Sequence, residues 1–416
     1  MPERLKQLHP FQTPDAKRLA ALFAVVYFAQ GMWYLPNQTI SIALKDRGLS
    51  AGQVQNFFFM ATLPWLIKPV YGIVSDFVPL FGRRRKSYLL LTSALAGAGS
   101  LALGLSAEHH YWLLAALFTA MGLGLAFTDV LVDALMVENG KLRGLTGAFQ
   151  SVQWGAINVA SILVGVGGGY LAEHRRMHAA FLLAACFPAI SLVMSAFFVR
   201  EAPARVEREA ILETWQVIKE ALAEREIWIV AGFIFFWNFS PSFGSAFLFY
   251  QTDALNFSQQ FIGFLASLGA VTSIVGAFIY APLSRRAPLK RVIIWAIGAG
   301  VVATLGYLAY RGPTSAIVIT AVFGCVGMIT QLALLDLAAK SCPRHVEATF
   351  FALLMSIFNA GTQASQNVGG RLYDHFGYVP LVLISTAMTA AAWLLVPLVK
   401  IERIEEKARR AQAPSP

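Results

Sequence analysis

Long apolar runs separated by short polar segments dominate this chain. A membrane-spanning helix needs roughly 20 apolar residues, and twelve runs reach that length. They lie near residues 19–37, 54–74, 87–105, 111–136, 146–170, 179–199, 228–250, 260–282, 291–309, 316–339, 347–369 and 379–399. The runs are continuous and do not alternate, which excludes a β-barrel, and a lone strand could not satisfy its backbone in lipid. The pattern therefore predicts an all-α membrane protein with twelve transmembrane helices.

The two halves of the chain carry similar features at corresponding positions. The matched pairs are Gly72 and Gly276, Asp133 and Asp336, and Pro36 and Pro241. The two prolines are predicted to interrupt the first and seventh spans. Such duplication is typical of transporters built from two repeats, with a site between them near the membrane midplane. We therefore predict two pseudo-symmetric six-helix bundles, at residues 1–199 and 228–416, joined by a cytosolic linker at 200–227.

The predicted linker carries a single apolar stripe. Its apolar residues recur at the spacing of one helical face, at Ile211, Trp215, Ile218 and Leu222. This pattern predicts an amphipathic helix that lies along the membrane surface. A solvated spacer is the alternative interpretation.

The distribution of cations predicts the topology. Charged residues make up only 13% of the chain, against roughly 25% in soluble domains. The net charge of +10 comes from cations in short loops between apolar runs, which excludes nucleic acid as a partner. With a cytoplasmic N-terminus, 26 Lys and Arg residues fall inside and 6 outside. This asymmetry predicts that both termini are cytoplasmic in a multi-pass protein of the cytoplasmic (inner) membrane.

Motifs for enzymatic chemistry are absent from the sequence. It contains no P-loop for ATP, no nucleophile elbow and no histidine cluster with metal-ligand spacing. The three cysteines are scattered and form neither a metal site nor a disulfide framework. We therefore expect a protein that is not an enzyme and that has neither a cofactor nor a bound metal.

One lysine and two aspartates interrupt the apolar runs of the first half. Lys68 lies about midway along the second span, and Asp129 and Asp133 share one face of the fourth. Charges in lipid are expensive and mark functional sites such as proton relays. We predict a coupled charge group in which Asp129 and Asp133 serve proton coupling, with Asp133 also placed for gating. An architectural ion pair that locks two helices is the alternative.

Aromatic and amide side chains are interleaved on three spans. Amides in lipid need partners, so these faces are predicted to point inward, towards a cavity or a neighbouring helix. A surface that mixes Trp or Tyr with amides can stack a flat heterocycle and hydrogen-bond its edge. The candidate binding residues are Trp33, Tyr34, Gln150, Trp154, Asn359 and Gln363. Candidate gating residues at the span ends are Asp76, Arg83, Arg84, Glu138 and Asp336.

A resemblance to a known family rests on motifs that recur in order between about residues 20 and 400. In the first half these are Pro64-Trp65, Lys68-Pro69, Tyr71-Gly72, Ser75-Asp76, Gly82, Arg84, Asp129, Asp133-Ala134, Glu138, Gln150-Ser151 and Trp154-Gly155. In the second half they are Phe249-Tyr250, Phe257-Ser258, Gly276, Tyr280, Cys342-Pro343, Phe351-Ala352-Leu353, Ser356 and Asn359. The chain thereby resembles the folate–biopterin transporters of the major facilitator superfamily.

The resemblance implies a secondary active transporter that imports folate or a related pterin, with proton symport and alternating access. It implies the major facilitator fold and, as partners, the substrate, protons and the lipid bilayer; we expect a monomer. Lys68 would then bind a carboxylate of the folate tail, and protonation of Asp129 would release Lys68 to the substrate. The alternatives are a carrier of another polar solute (a muropeptide, a nucleoside derivative or an amino acid) and a membrane receptor that does not transport.

Overall fold

The computed structural model describes residues 11–143, 145–201, 203, 216, 219–220, 222–342 and 347–412, and helices dominate it. In the first half they are α1 (Pro14–Gly31), α2 (Asn37–Asp46), α3 (Ala51–Thr62), α4 (Lys68–Phe77), α5 (Lys86–Leu105), α6 (Tyr111–Arg143), α7 (Thr146–Glu173) and α8 (Met177–Phe198). In the second half they are α9 (Arg225–Asn238), α10 (Gly244–Phe249), α11 (Gln259–Arg286), α12 (Leu289–Gly306), α13 (Pro313–Ser341), α14 (Glu347–Phe376), α15 (Tyr378–Leu395) and α16 (Ile401–Gln412).

Ten helical segments in the described part of the chain are long and apolar enough to cross a membrane. The prediction of an all-helical, multi-pass membrane protein is therefore confirmed. The predicted seventh span falls on α9 and α10, which a non-helical stretch separates, and the eleventh falls on α14. Neither belongs to the ten: α9 has only 14 residues, and α14 carries a polar stripe along its length.

Prolines interrupt the first and seventh predicted spans. After α1 the chain forms a 3-10 turn at Met32–Tyr34 and passes through Pro36 before α2 begins. In the second half, α9 ends at Asn238 and α10 begins at Gly244, with Pro241 between them. Proline lacks the N–H that a continuing helix needs, so the backbone bends or stops there. The two interruptions predicted from Pro36 and Pro241 are confirmed.

A third interruption divides the second span. Here α3 passes into a 3-10 turn at Leu63–Ile67, and α4 starts at Lys68. Pro64 lies at the start of the turn and Pro69 at the start of α4. A 3-10 stretch within a longer helix often marks a functional hinge. Lys68 is therefore the first residue after a break in the backbone ladder, and does not lie in the middle of a regular helix.

The chain forms two compact units. The first comprises Met1–Ile42 and Met60–Arg208, and the second comprises Ala43–Phe59 and Glu209–Pro416. The predicted linker stripe lies outside the described residues except for Leu222.

The hairpin Ala43–Phe59 belongs to the second unit although it comes from the first half of the sequence. The backbone N–H of Gly52 donates to the Asp374 carboxylate at 2.9 Å. The side-chain oxygen of Gln55 accepts from the backbone N–H of Ser245 at 3.0 Å and from its hydroxyl at 2.9 Å. These polar contacts explain why the hairpin packs with residues far along the chain.

Small residues bring the helices of the first unit close together. A Cβ atom on Gly31 would lie 2.6 Å from the Cβ of Ala160 on α7, and one on Gly124 would lie 2.4 Å from the carbonyl oxygen of Thr92 on α5. Only glycine permits these approaches. Packing through small residues is the usual way in which helices associate in lipid. The contacts hold α1 against α7 and α5 against α6, and thereby place the side chains described next.

Candidate functional site

A buried ion pair lies inside the first unit. The Nζ atom of Lys68, at the start of α4, lies 2.5 Å from the Oδ2 atom of Asp129 on α6. The other carboxylate oxygen of Asp129 accepts a hydrogen bond of 2.7 Å from the side-chain amide of Gln30 on α1. Only 14% of the Lys68 side chain and 11% of the Asp129 side chain are exposed. Three helices thus meet at one carboxylate, which has both a cationic and a neutral donor.

Asp133 lies one turn beyond Asp129 and has different partners. It accepts a hydrogen bond from the hydroxyl of Tyr27 on α1 and another, at 3.2 Å, from the amide of Gln153 on α7. Both donors are uncharged. Tyr27 was not among the residues predicted from the sequence, because an isolated tyrosine in an apolar helix gives no signal of what it faces. The predicted charge group therefore has two parts. Asp129 forms an ion pair, whereas Asp133 is hydrogen-bonded by uncharged donors.

Aromatic rings surround the ion pair. The ammonium of Lys68 lies 4.7 Å from the ring centroid of Trp65, an arrangement that favours a cation. Trp65 packs against Trp33 at 6.0 Å, and Trp33 stacks on Phe118 of α6 at 5.2 Å. Tyr34 contacts Trp33 edge-on at 5.0 Å and is about half exposed. The Trp33 side chain is thus buried among other rings, whereas about half of Tyr34 is accessible to a ligand.

Three polar atoms beside the ion pair lack protein partners among the described residues. They are the side-chain carbonyl of Gln30 and the indole nitrogens of Trp33 and Trp65. Buried polar atoms are rarely left without a hydrogen bond, and an exception calls for a water, a ligand or a functional reason. The site therefore presents two donors and one acceptor next to a lysine, a combination suited to a polar anionic solute.

The remaining predicted binding residues lie on two helices. Gln150 and Trp154 are exposed on α7. Asn359 and Gln363 lie on α14 of the second unit, one turn apart and partly buried. The side-chain carbonyl of Gln363 has no hydrogen-bond partner among the described residues. Each position thus has polar or aromatic surface available for a ligand.

A second charged cluster lies between the end of α4 and the start of α5. The guanidinium of Arg85 donates to Asp76, to Glu138 at 2.8 Å and to the hydroxyl of Ser75 at 2.6 Å. Burial tends to lower the pKa of Arg85, but the two carboxylates outweigh it and raise the pKa above its usual value. Asp76 and Glu138 are two of the candidate gating residues selected from the sequence. The cation that joins them is Arg85, which the sequence analysis did not select.

The neighbouring arginines have other surroundings. The backbone N–H groups of Arg84, Arg85 and Lys86 donate to the carboxylate of Glu201 at 2.9–3.1 Å. This carboxylate caps the N-terminus of α5, where unpaired N–H groups favour an anion. The backbone N–H of Arg83 donates to the carbonyl oxygen of Leu80 at 3.1 Å. The loop is thus held chiefly by Arg85 and Glu201.

In the second unit, the predicted gating residue Asp336 pairs with Lys340 on the same helix. Their side chains approach to 2.8 Å, and the hydroxyl of Tyr280 lies 3.5 Å from Asp336. The Lys340 ammonium also lies 4.0 Å from Glu405 on α16. Asp336 therefore takes part in a charge cluster near the end of α13.

The fold and the buried ion pair together define an integral, multi-pass helical membrane protein with the architecture of a transporter. The chain belongs to the BT1 family, whose family model matches residues 30–409. The resemblance to folate–biopterin transporters, deduced from motifs alone, is confirmed. Both the family and the curated relatives are transporters and not enzymes.

Relatives from several organisms are similar over most of the chain. The "Folate-biopterin transporter" of Synechocystis sp. is 32% identical over 386 residues, which cover 85% of this chain and 74% of that protein. The "Probable folate-biopterin transporter 4" of Arabidopsis thaliana is 27% identical, with coverage of 86% and 88%. "Folate transporter 1" of Plasmodium falciparum is 24% identical, with coverage of 81% and 69%.

Solved transporter structures share the fold. The nucleoside transporter NupG superposes with a TM-score of 0.70 at 12% identity and covers 93% of this chain and 99% of its own. A D-xylose-proton symporter superposes with a TM-score of 0.67 at 16% identity, with coverage of 92% and 98%. At such low identity the likeness shows the fold alone.

Proposed function

We propose that the protein is a secondary active transporter that imports folate or a related pterin by proton symport with alternating access. The proposal also includes twelve transmembrane helices in two six-helix bundles, a monomer in the cytoplasmic membrane, and cytoplasmic termini. The excess of cations in alternate loops supports this orientation. Single-cysteine labelling of intact cells at position 405 tests it, because an impermeant reagent should reach that position only after lysis.

The Lys68–Asp129 pair at the break before α4 is the observation that carries the proposal. Isolated charges in lipid cost several kcal/mol, so this pair persists only if it is compensated and useful. Broken helices near the membrane midplane are typical of transporter binding sites. The unpaired indole and amide groups beside the pair supply further hydrogen-bonding capacity for a solute.

Folate fits the chemistry of these residues. Its flat pterin ring needs aromatic partners and hydrogen bonds at its edge, and its glutamate tail carries two carboxylates. Tyr34 and Trp154 have exposed ring surface for stacking, and Gln150 has an exposed amide. Lys68 is the cation that would bind a tail carboxylate. The names of the relatives point to the same substrate class.

The two aspartates provide the proposed coupling to protons. One lysine cannot neutralise Asp129, Asp133 and a substrate carboxylate at the same time. Binding of an anionic substrate is therefore favoured when the site has taken up a proton, because this restores the local charge balance. An inward proton gradient would then drive accumulation of the substrate.

Uptake into proteoliposomes tests the proposal. With labelled folic acid and a labelled pterin, uptake should be faster at an outside pH of about 5.5 than at about 7.5, because the proposed coupling takes up a proton from the outer solution. A protonophore should abolish the difference. Equal uptake at both pH values would refute proton coupling.

The same assay separates the alternatives. Binding of a folate without accumulation in vesicles would indicate a receptor. Accumulation of a muropeptide, a nucleoside derivative or an amino acid, with no uptake of folates or pterins, would refute the proposed substrate class.

A further inference from the structure

The two carboxylates of α6 differ in the charge of their partners. Asp129 is bonded to the ammonium of Lys68 and to the amide of Gln30. Asp133 is bonded only to neutral donors, Tyr27 and Gln153. In the described part of the chain, no lysine or arginine nitrogen lies within 4.0 Å of Asp133. The sequence spacing placed both aspartates on one helical face, and the structure distinguishes them by their partners.

Charge balance favours a proton on Asp133. The groups that face it are Tyr27 from α1, Gln153 from α7, Lys68 from α4 and Asp129 on its own helix. Thr92 of α5 shares a hydrogen bond with Thr128 of α6, and neither hydroxyl carries a charge. With one lysine and two ionised aspartates, the cluster would keep an uncompensated negative charge among buried side chains. Such a charge is normally neutralised by a proton.

Helix α1 connects the two carboxylates. Tyr27 and Gln30 are three residues apart and share a face of α1, just as Asp129 and Asp133 share a face of α6. Tyr27 is fully buried, and the close contact of Gly31 with Ala160 of α7 restricts movement of this part of α1. One face of α1 thus carries a hydrogen-bond donor to each carboxylate, Tyr27 to Asp133 and Gln30 to Asp129.

We propose that Asp133 is the residue that binds the coupled proton, that Tyr27 positions its carboxyl group, and that Asp129 remains the ionised partner of Lys68. This inference rests on the proposed function and assigns the proton within it. The proton binds to a carboxylate oxygen of Asp133 from the outer solution and leaves to the inner solution. No covalent bond other than this O–H bond forms or breaks. Tyr27 and Gln153 both donate to the Oδ1 atom of Asp133, so the proton binds to Oδ2, and Tyr27 is a positioning residue.

Asp133→Asn and Asp129→Asn in proteoliposomes test the assignment. Two assays are compared: accumulation of labelled folic acid driven by a pH gradient, and exchange of labelled for unlabelled folic acid without a gradient. We expect Asp133→Asn to lose stimulation by the gradient, because a permanently neutral group cannot carry a proton, and to lower gradient-driven accumulation more than exchange. Asp129→Asn should lose both activities, because Lys68 then lacks its counter-ion.

Tyr27→Phe provides a second test that does not depend on the stability of the aspartate variants. Its matched control is Tyr71→Phe, because the Tyr71 hydroxyl donates to a backbone carbonyl at 3.0 Å and not to a carboxylate. A donated hydrogen bond favours the ionised carboxyl group, so its loss should move the pH of half-maximal uptake upward, by about 0.5–1 unit. The control should leave that pH unchanged.

The outcomes distinguish this inference from the proposed function. If the wild type accumulates folic acid with the gradient and Asp133→Asn does so equally well, the inference is refuted and the function stands. An unshifted pH profile in Tyr27→Phe would remove the positioning role. A wild type that shows no proton-driven uptake would refute the proposed function and the inference with it.

Discussion

The Lys68–Asp129 pair of the first unit and the Lys340–Asp336 pair of the second unit are built differently. In the first unit, Lys68 reaches from α4 to Asp129 on α6, and 14% and 11% of the two side chains are exposed. In the second, Lys340 and Asp336 lie one turn apart on α13, and each side chain is 26% exposed. The first pair joins two helices beside a break, whereas the second joins successive turns of one regular helix.

This difference in placement predicts a difference in function. A partly exposed pair one turn apart on a helix contributes about 0.3–0.5 kcal/mol, which is a modest local stabilisation. Removing one partner of a buried pair costs roughly 3–5 kcal/mol. We therefore expect the buried Lys68–Asp129 pair to serve a function beyond stability. The function that we propose is the binding of a solute that competes with Asp129 for Lys68.

Lys68→Ala should have the largest effect. It leaves Asp129 buried without a cation, and we expect uptake to fall by more than about 100-fold, in line with a cost of roughly 3–5 kcal/mol. Lys340→Ala is the matched variant in the second unit and should reduce uptake by less than about threefold. Uptake of labelled folic acid in proteoliposomes measures both.

Adding Asp129→Asn to Lys68→Ala checks the physical reason for this effect. The double variant should recover part of the thermal stability that Lys68→Ala loses, without recovering transport. If Lys68→Ala and Lys340→Ala lower uptake equally, the contrast between the two pairs has no functional meaning.

Arg85→Ala should have the next largest effect. It removes the cation between Asp76 and Glu138, and we expect a roughly tenfold loss of uptake with a stability loss of about 1–3 kcal/mol. Arg143→Ala is a suitable control, because the Arg143 side chain is exposed and hydrogen-bonds to Asn139 one turn away. Equal activity of the two variants would mean that the Arg85 cluster is dispensable.

Gln363→Ala tests the predicted binding role of Gln363 on α14. The Gln363 carbonyl lacks a partner among the described residues, so its removal should weaken substrate binding by about tenfold in KM while kcat stays unchanged. Thr362→Ala is the control, because its hydroxyl bonds to the backbone of its own helix. A fall in kcat with unchanged KM would instead indicate a conformational role for Gln363.

Lys290→Ala should have the smallest effect, and that effect should be larger at neutral than at acidic pH. The hydrogen bond from Lys290 lowers the pKa of Glu402 below its ordinary value of 4.5. A lowered folded-state pKa adds stability above the unfolded value, and that stability is lost as the pH falls through the folded value. The variant should therefore lose less than about 1 kcal/mol near pH 7 and a smaller amount near pH 3, as measured by thermal unfolding in detergent. An equal loss at both values would contradict the ion pair as the cause.

Local patterns in the sequence predicted the helices and the kinds of residue that they carry. The apolar runs located the spans, Pro36 and Pro241 located two breaks, and the spacing of Asp129 and Asp133 placed both on one face. Each of these features depends on residues within a few turns of one another. The break at Lys68 was not predicted, although Pro64 and Pro69 flank it in the sequence.

The pairing of these groups depended on the tertiary structure. The sequence indicated a lysine and two aspartates, but it did not indicate which aspartate pairs with Lys68. It also gave no sign that Tyr27 donates to Asp133. The bonds from Arg85 to Asp76 and Glu138 were likewise not predicted. Helical periodicity defines which residues share a face, but it does not define which helix lies opposite that face or at what depth. Close contacts between distant helices, such as that of Gly31 with Ala160, decide both, because a hydrogen bond is lost when its partners move apart by about an ångström.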